Sequence, residues 1–212
     1  YVDAAKAAGI DVAPKHCPGL GAARTADGGV GNTNQRKMVV DNWNQISSTH
    51  LEPYTTIAQT YGGDVYVMVG TQTIPELTGD KPAALSKPAI GLLRQILPNA
   101  IIVTDDLVTP TITDSSLGLG LKASQAVVEA LSAGVQHPML ITSNAVVPKN
   151  ETPTAKWEKR LVSIYDEASK KAKESPEFTQ IIDQTTLKNI EDKDMNVCEV
   201  ADLVTKLEAK RG

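Results

Sequence analysis

The run Ile101-Ile102-Val103-Thr104-Asp105-Asp106-Leu107 carries an apolar, β-branched segment straight into two carboxylates. A strand of that composition buries its aliphatic side chains and releases the acids at its C-terminal end, where a carboxylate can act as nucleophile or general base, or hold a cation. Neighbouring side chains on an extended backbone point to opposite faces, so Asp105 and Asp106 cannot both meet one ligand, and one of them is structural. The competing reading makes both acids loop caps or ion-pair partners. A second run, Lys15-His16-Cys17-Pro18-Gly19-Leu20-Gly21, follows the stretch Ile10 to Pro14. A Lys and a His side by side at a strand end can donate hydrogen bonds to the hydroxyls of a polar ligand, while Pro18 and Gly19 fix a tight exit for the chain. Here the alternative is a buried ion-pair partner at Lys15 and a satisfied core histidine at His16.

These residues need a scaffold, and the chain supplies one in its first 150 positions. Short β-branched runs at Ile10 to Lys15, Asp64 to Gly70, Ala100 to Thr104 and Pro138 to Thr142 read as four strands. Between them lie three helical segments, Trp43 to Tyr61, Lys87 to Leu97 and Lys122 to Ala133. The resulting βαβαβαβ order predicts an α/β fold with a mostly parallel sheet covered by helices. Gly62-Gly63 ends the first of these helices, Ser86 with Pro88 opens the next, and Gly134 closes the third. Eight such βα units, enough for a closed barrel, typically need ~250 residues. Four units make half a (β/α)8 barrel of the TIM type, so its N-terminal half is expected either outside this sequence or supplied by a second copy that covers the apolar edges.

Charge separates the tail from this scaffold. The first 150 residues hold 22 charged side chains and the last 62 hold 24, so residues 1–148 read as the half-barrel and 149–212 as a solvated helical extension, with the boundary near Val147 to Pro153. Trp157, Leu161, Ile164, Tyr165 and Ala168 fall on one helical face, as do Val197, Val200, Ala201, Val204 and Leu207, and both stripes are expected to pack on the sheet domain.

A net charge of −4, from 21 basic and 25 acidic residues, gives no broad basic surface and argues against nucleic acid as a partner. Cys17 and Cys198 fit no zinc or redox spacing. His50 and His137 have no ligand-spaced companions, so a metal site is not supported. No apolar run nears the ~20 residues that span a bilayer. The chain opens on Tyr1 without a visible signal peptide, so its natural start is expected upstream and its compartment, cytoplasm or cell envelope, stays open. Gly118-Leu119-Gly120-Leu121-Lys122-Ala123 matches G-x-G-x-x-A in form, but a Thr/Ser-rich loop precedes it where a dinucleotide site needs a strand. Asn150-Glu151-Thr152 is a glycosylation sequon, meaningful only in a eukaryotic secretory route. A reactive Cys17 beside Lys15 and His16 is an alternative to a small buried hydrophobe there.

Taken together, the segments resemble the catalytic barrel of family 3 glycoside hydrolases in its β-N-acetylhexosaminidase branch. Lys15 to Gly21 resembles K-H-F-P-G-H-G, with Cys17 and Leu20 as departures. Val67-Met68-Val69-Gly70-Thr71 resembles V-M-x-A-H, with Thr71 in place of His. Asp80-Lys81-Pro82-Ala83-Ala84-Leu85-Ser86 and Leu92-Leu93-Arg94 resemble D-x-P-A-S-L-S and L-L-R. Val103 to Leu107 resembles V-[ST]-D-D-L, and Ala130 to Val135 resembles A-L-x-A-G-x-D. The resemblance covers Ala5 to Ser143.

It implies hydrolysis of terminal β-linked N-acetylglucosamine by a retaining mechanism, without a cofactor, on a small carbohydrate substrate of bacterial cell-wall turnover. Asp105 matches the nucleophile, and Lys15 and His16 match the pair that holds the sugar hydroxyls. The branch's acid/base is a His on a mobile D-S-H loop. Here that stretch reads Arg24-Thr25-Ala26-Asp27-Gly28-Gly29, so Asp27 aligns with the loop Asp while Gly28 or Gly29 stands where the His belongs. Asp27 is the candidate substitute acid, and would need a raised pKa to donate near neutrality. The alternative is a catalytically degenerate relative that binds sugar or a protein partner.

Overall fold

Alternating burial decides the sheet. In a computed structural model, which describes residues 1–141 apart from 26, 30, 32–36 and 64, together with residues 153–193, three parallel strands lie in sequence order. They are β1 (Tyr66–Val69), β2 (Ile101–Asp106) and β3 (His137–Met139). Val67 pairs with Ile102 and Val69 with Thr104. All four of these side chains are buried, and the three aliphatic ones join the main core. Their neighbours Tyr66, Met68, Ile101, Val103 and Asp105 point to the opposite face, which is only half-buried. The rings of Tyr66 and His137 meet edge to face there, 6.1 Å apart, across β2.

The described helices are α1 (Val2–Ala7), α2 (Trp43–Tyr61), α3 (Pro75–Thr78), α4 (Lys87–Ile96), α5 (Pro110–Thr113), α6 (Ala123–Ala133), α7 (Pro153–Glu174) and α8 (Pro176–Lys193). Leu93 of α4 and Ala126 and Ala130 of α6 close over the buried sheet face with Val67 and Ile102. Gly62 and Gly134 end α2 and α6 in left-handed conformations, as the sequence predicts. Ser86 occupies the N-cap position of α4, but its hydroxyl makes no cap bond and is buried without a partner; Pro88 at the helix start is as expected.

The expected strand Ile10 to Lys15 does not form. Instead Pro14–Cys17 lies parallel to β1 through three bonds: Cys17 N donates to Met68 O at 2.9 Å, Gly70 N to Cys17 O at 3.0 Å, and Met68 N to Pro14 O at 3.1 Å. Prolines at positions 14 and 18 have no N–H to continue a ladder, which limits the pairing to this short contact. The Lys15–His16 and Cys17–Pro18 peptide bonds are cis.

A polar network fixes the start of β2. The Arg94 guanidinium donates to Ala100 O and to Gln136 Oε1, which also accepts from Ile102 N at 2.8 Å. Gln136 N in turn donates to Ile102 O at 3.1 Å. Burial lowers the Arg94 pKa from its usual value, so these neutral acceptors carry the solvation of a cation.

In the tail, α7 packs on α6 and its Ile164 reaches the main core. Tyr165 and Ala168 are half-buried, whereas Leu161, expected on the same buried stripe, is exposed. The chain turns at Ser175, whose Oγ accepts from Phe178 N at 3.2 Å, and α8 buries Phe178 to 2% exposure. The residues around Val147, the sequon at Asn150, Cys198 and the stripe Val197 to Leu207 lie outside the described residues.

Candidate active site

Asp105 is the penultimate residue of β2 and points to the half-open face. Its Oδ1 accepts the amide of Asp106 at 2.8 Å. Its Oδ2 stands 3.4 Å from Nε2 of His16, with the two side chains 17% and 22% exposed. Asp106 turns the other way. Its Oδ1 accepts from Val108 N and from Ile141 N, each at 3.0 Å, so it ties the end of β2 to the segment leaving β3. Thr104 adds a second tie through Met139 N, 2.8 Å from its Oγ1. The two carboxylates thus diverge: Asp105 lies on the half-open face beside His16, and Asp106 joins β2 to the segment after β3.

His16 reaches Asp105 because Pro14–Cys17 runs beside β1, and because Gly70 leaves room. A Cβ at Gly70 would stand 3.0 Å from His16 Cβ and 2.1 Å from Gln72 Oε1. Gln72, unmarked in the sequence reading, donates from Nε2 to Cys17 O at 3.3 Å and holds the same segment. No periodicity or motif signals it.

Burial pushes the His16 pKa below 6.5, the Asp105 charge pulls it up, and the Lys15 charge lowers it further. The imidazole is accordingly neutral at pH 7. A neutral ring can donate from one nitrogen and accept at the other, which suits a hydroxyl-bearing ligand. Lys15 is exposed, so it is not the buried ion-pair partner of the alternative reading. Cys17 is 2% exposed and its thiol is pushed up to about 12 by burial, with Tyr54 as its hydrogen-bond partner. A thiol of that kind is no nucleophile, and the reactive-cysteine alternative is set aside.

Asp27 is exposed and bonds within its own turn, accepting from the Thr25 hydroxyl and, at 3.4 Å, from Gly29 N. Thus His16 and Asp105 are brought together, with Lys15 adjacent, while Asp27 is held by its own loop. Among the described residues no three His, Cys, Asp or Glu side chains form a metal-binding group, and no helix is long and apolar enough to cross a membrane.

A family model described as "Glycosyl hydrolase family 3 N terminal domain" matches residues 1–173. The chain belongs to glycosyl hydrolase family 3. The N-terminal domain of family 3 is a TIM-barrel-like α/β fold, in agreement with the parallel sheet and its helices. Among its relatives is "Beta-hexosaminidase LpqI" of Mycobacterium bovis, 29% identical over 152 residues, and the protein of the same name in Mycobacterium tuberculosis matches equally. That alignment takes in 69% of this chain and 36% of the relative. The solved structure titled "M tuberculosis LpqI" superposes with a TM-score of 0.65 at 26% identity, covering 87% of this chain and 48% of that one. A β-N-acetylhexosaminidase from Beutenbergia cavernae shares the fold with a TM-score of 0.64 at 22% identity, over 90% and 49% of the two chains. This family 3 chain thus spans about half the length of these two solved structures and about a third of the curated relatives.

Proposed function

We propose that this chain provides the C-terminal half of a family 3 glycosidase barrel, with β1 to β3 as three of its strands and the short Pro14–Cys17 pairing beside β1 in the place of a fourth, and that the barrel hydrolyses terminal β-linked N-acetylglucosamine with retention. Residues 1–148 form the half-barrel and 149–212 its helical extension. The observation that carries this reading is the meeting of His16 and Asp105 at the C-terminal end of the strands, on the face that a closed barrel turns inward. The half-buried Tyr66, Met68, Ile101 and Val103 on that face call for a cover: the N-terminal half of a barrel or a second copy of this chain.

In this mechanism Asp105 Oδ2 attacks the anomeric carbon and forms a C1–O ester bond as the glycosidic C–O bond breaks and the aglycone leaves with the bonding pair. Water then attacks C1 as the ester C1–O bond breaks and frees the carboxylate, and the proton it loses passes through solvent to the departed aglycone oxygen. Lys15 and neutral His16 bind the sugar hydroxyls. Oδ1 stays on the Asp106 amide, which orients the attacking oxygen. Proton delivery to the aglycone has no dedicated His, since Gly28 or Gly29 stands in its place. A positioned acid contributes roughly 10²–10⁴-fold, so an aryl glycoside with a good leaving group should outpace the natural disaccharide by about that factor.

Turnover of an activated aryl β-N-acetylglucosaminide tests the reading, and Asp105→Asn should abolish it. Turnover unaffected by that substitution removes Asp105 from its role. The second reading, a degenerate relative that binds sugar, is favoured by the engagement of Asp27 within its own turn; calorimetric binding of N-acetylglucosamine without turnover supports it.

A further inference from the structure

Gly118 and Leu119, from the Gly118-Leu119-Gly120 motif unused by the function above, build with Leu117 one wall of a cleft of about 280 Å³. The opposite wall comes from the segment after β1. Both walls leave their strands at the C-terminal ends, so the cleft opens toward the same end of the sheet as Asp105. Its size lies at the lower limit of small-molecule sites, about 300 Å³, and suits a single ring. Gly118 is obligatory here, because a Cβ would fall 1.6 Å from Thr111 O, and the turn around it is held by Leu119 N donating to Thr111 O at 3.3 Å.

We infer that this cleft is a separate carbohydrate subsite, one that takes a neutral pyranose through Lys37, Thr73, Asp80 and Ser115 against Leu117 and Leu119. Thr73 is 1% exposed, and its hydroxyl has no partner. Lys37 and Asp80 also line the cleft, and neither forms an ion pair among the described residues. Sugar hydroxyls are donors and acceptors at once. A carboxylate that only accepts, an ammonium that only donates and hydroxyls that do both match them group by group. An anion would sit against Asp80 and a cation against Lys37, so the mixed lining selects a neutral polyol. Leu117 and Leu119 remain 38% and 37% exposed, an apolar surface for the C–H face of a pyranose.

This inference rests on the carbohydrate reading only for its choice of ligand, since every named group belongs to this chain. The test is a titration of the ¹⁵N-labelled 212-residue chain with N,N′-diacetylchitobiose, followed at the amides of Thr73, Gly118 and Gly120. Saturable shifts are expected, with affinity reduced about tenfold in Asp80→Asn, a value consistent with loss of one charge-assisted hydrogen bond. In Asp105→Asn the shifts should be unchanged, even though turnover is lost. Absence of shifts, shifts indifferent to Asp80→Asn, shifts abolished by Asp105→Asn, or the same shifts with inorganic phosphate alone would each overturn the subsite. The hydrolytic reading fails by a different result, turnover insensitive to Asp105.

Discussion

His16 Nε2 and Asp105 Oδ2 face each other at 3.4 Å, although 89 positions separate them in the chain. Two short backbone pairings create that meeting: Cys17 bridges to Val69 of β1, and Val69 pairs with Thr104 beside Asp105. A histidine and a carboxylate at one end of a parallel sheet thus share one face because the short Pro14–Cys17 pairing and β2 each bring one residue there.

The first consequence concerns pH. His16 has a folded pKa below its ordinary 6.5, chiefly through burial. Between the folded value and 6.5 the unfolded chain binds more protons than the native one, so stability rises with pH in that window. The neutral imidazole's contribution is complete above about 6.5 and is lost as pH falls through the folded pKa. The His16 ring proton, followed by NMR, should titrate below 6.5; a midpoint above that value contradicts the assignment.

Asp105 and Asp106 should respond oppositely to substitution. Asp106→Ala removes the acceptor for Val108 N and Ile141 N and should cost on the order of 1–3 kcal/mol in urea denaturation. Asp105→Asn keeps an acceptor for the Asp106 amide and should change stability by less than about 1 kcal/mol, while turnover disappears. Equal destabilisation would show that both acids are structural.

Cys17 should resist alkylation. With its thiol pushed up to about 12 and 2% exposed, it carries almost no thiolate at pH 8. Peptide mapping after iodoacetamide treatment should find Cys17 unlabelled in the native protein and labelled in guanidinium. Rapid native labelling contradicts the buried Cys17–Tyr54 pairing.

The half-open sheet face should drive association. Met68, Ile101 and Val103 lie there beside Tyr66, only half covered. Light scattering of the isolated chain should give a mass above that of one copy, and Val103→Glu should return it to a single chain with its helical circular dichroism intact. A monomeric unmodified chain contradicts this.

What could be read from the sequence was whatever obeyed a period or a stop signal. Gly62 and Gly134 marked helix ends, and the aliphatic run into Asp105 and Asp106 set a strand whose last two side chains diverge. The strand expected over Ile10 to Lys15 does not form because Pro14 and Pro18 lack the N–H groups that a ladder needs, whatever the β-branched content before them. Helix α8 falls within the extension expected to be helical over residues 149–212, and Ser175-Pro176-Glu177 before Phe178 marks its start with a capping residue, an early proline and an acid in the first turn. The tie of Arg94 and Gln136 to β2 and the bond from Gln72 to Cys17 had no local signal, since polar partners 34 to 55 residues apart leave no periodic trace. The candidates Lys15, His16 and Asp105 were legible as residues, and the meeting of His16 with Asp105 required the sheet.

The most direct measurement is peptide-level mass spectrometry of the protein quenched during turnover of an activated, slowly hydrolysed N-acetylglucosaminyl donor. A covalent N-acetylglucosaminyl ester on Asp105, absent in Asp105→Asn, is the predicted result. An adduct on another residue, or steady turnover with no adduct at Asp105, would contradict the account.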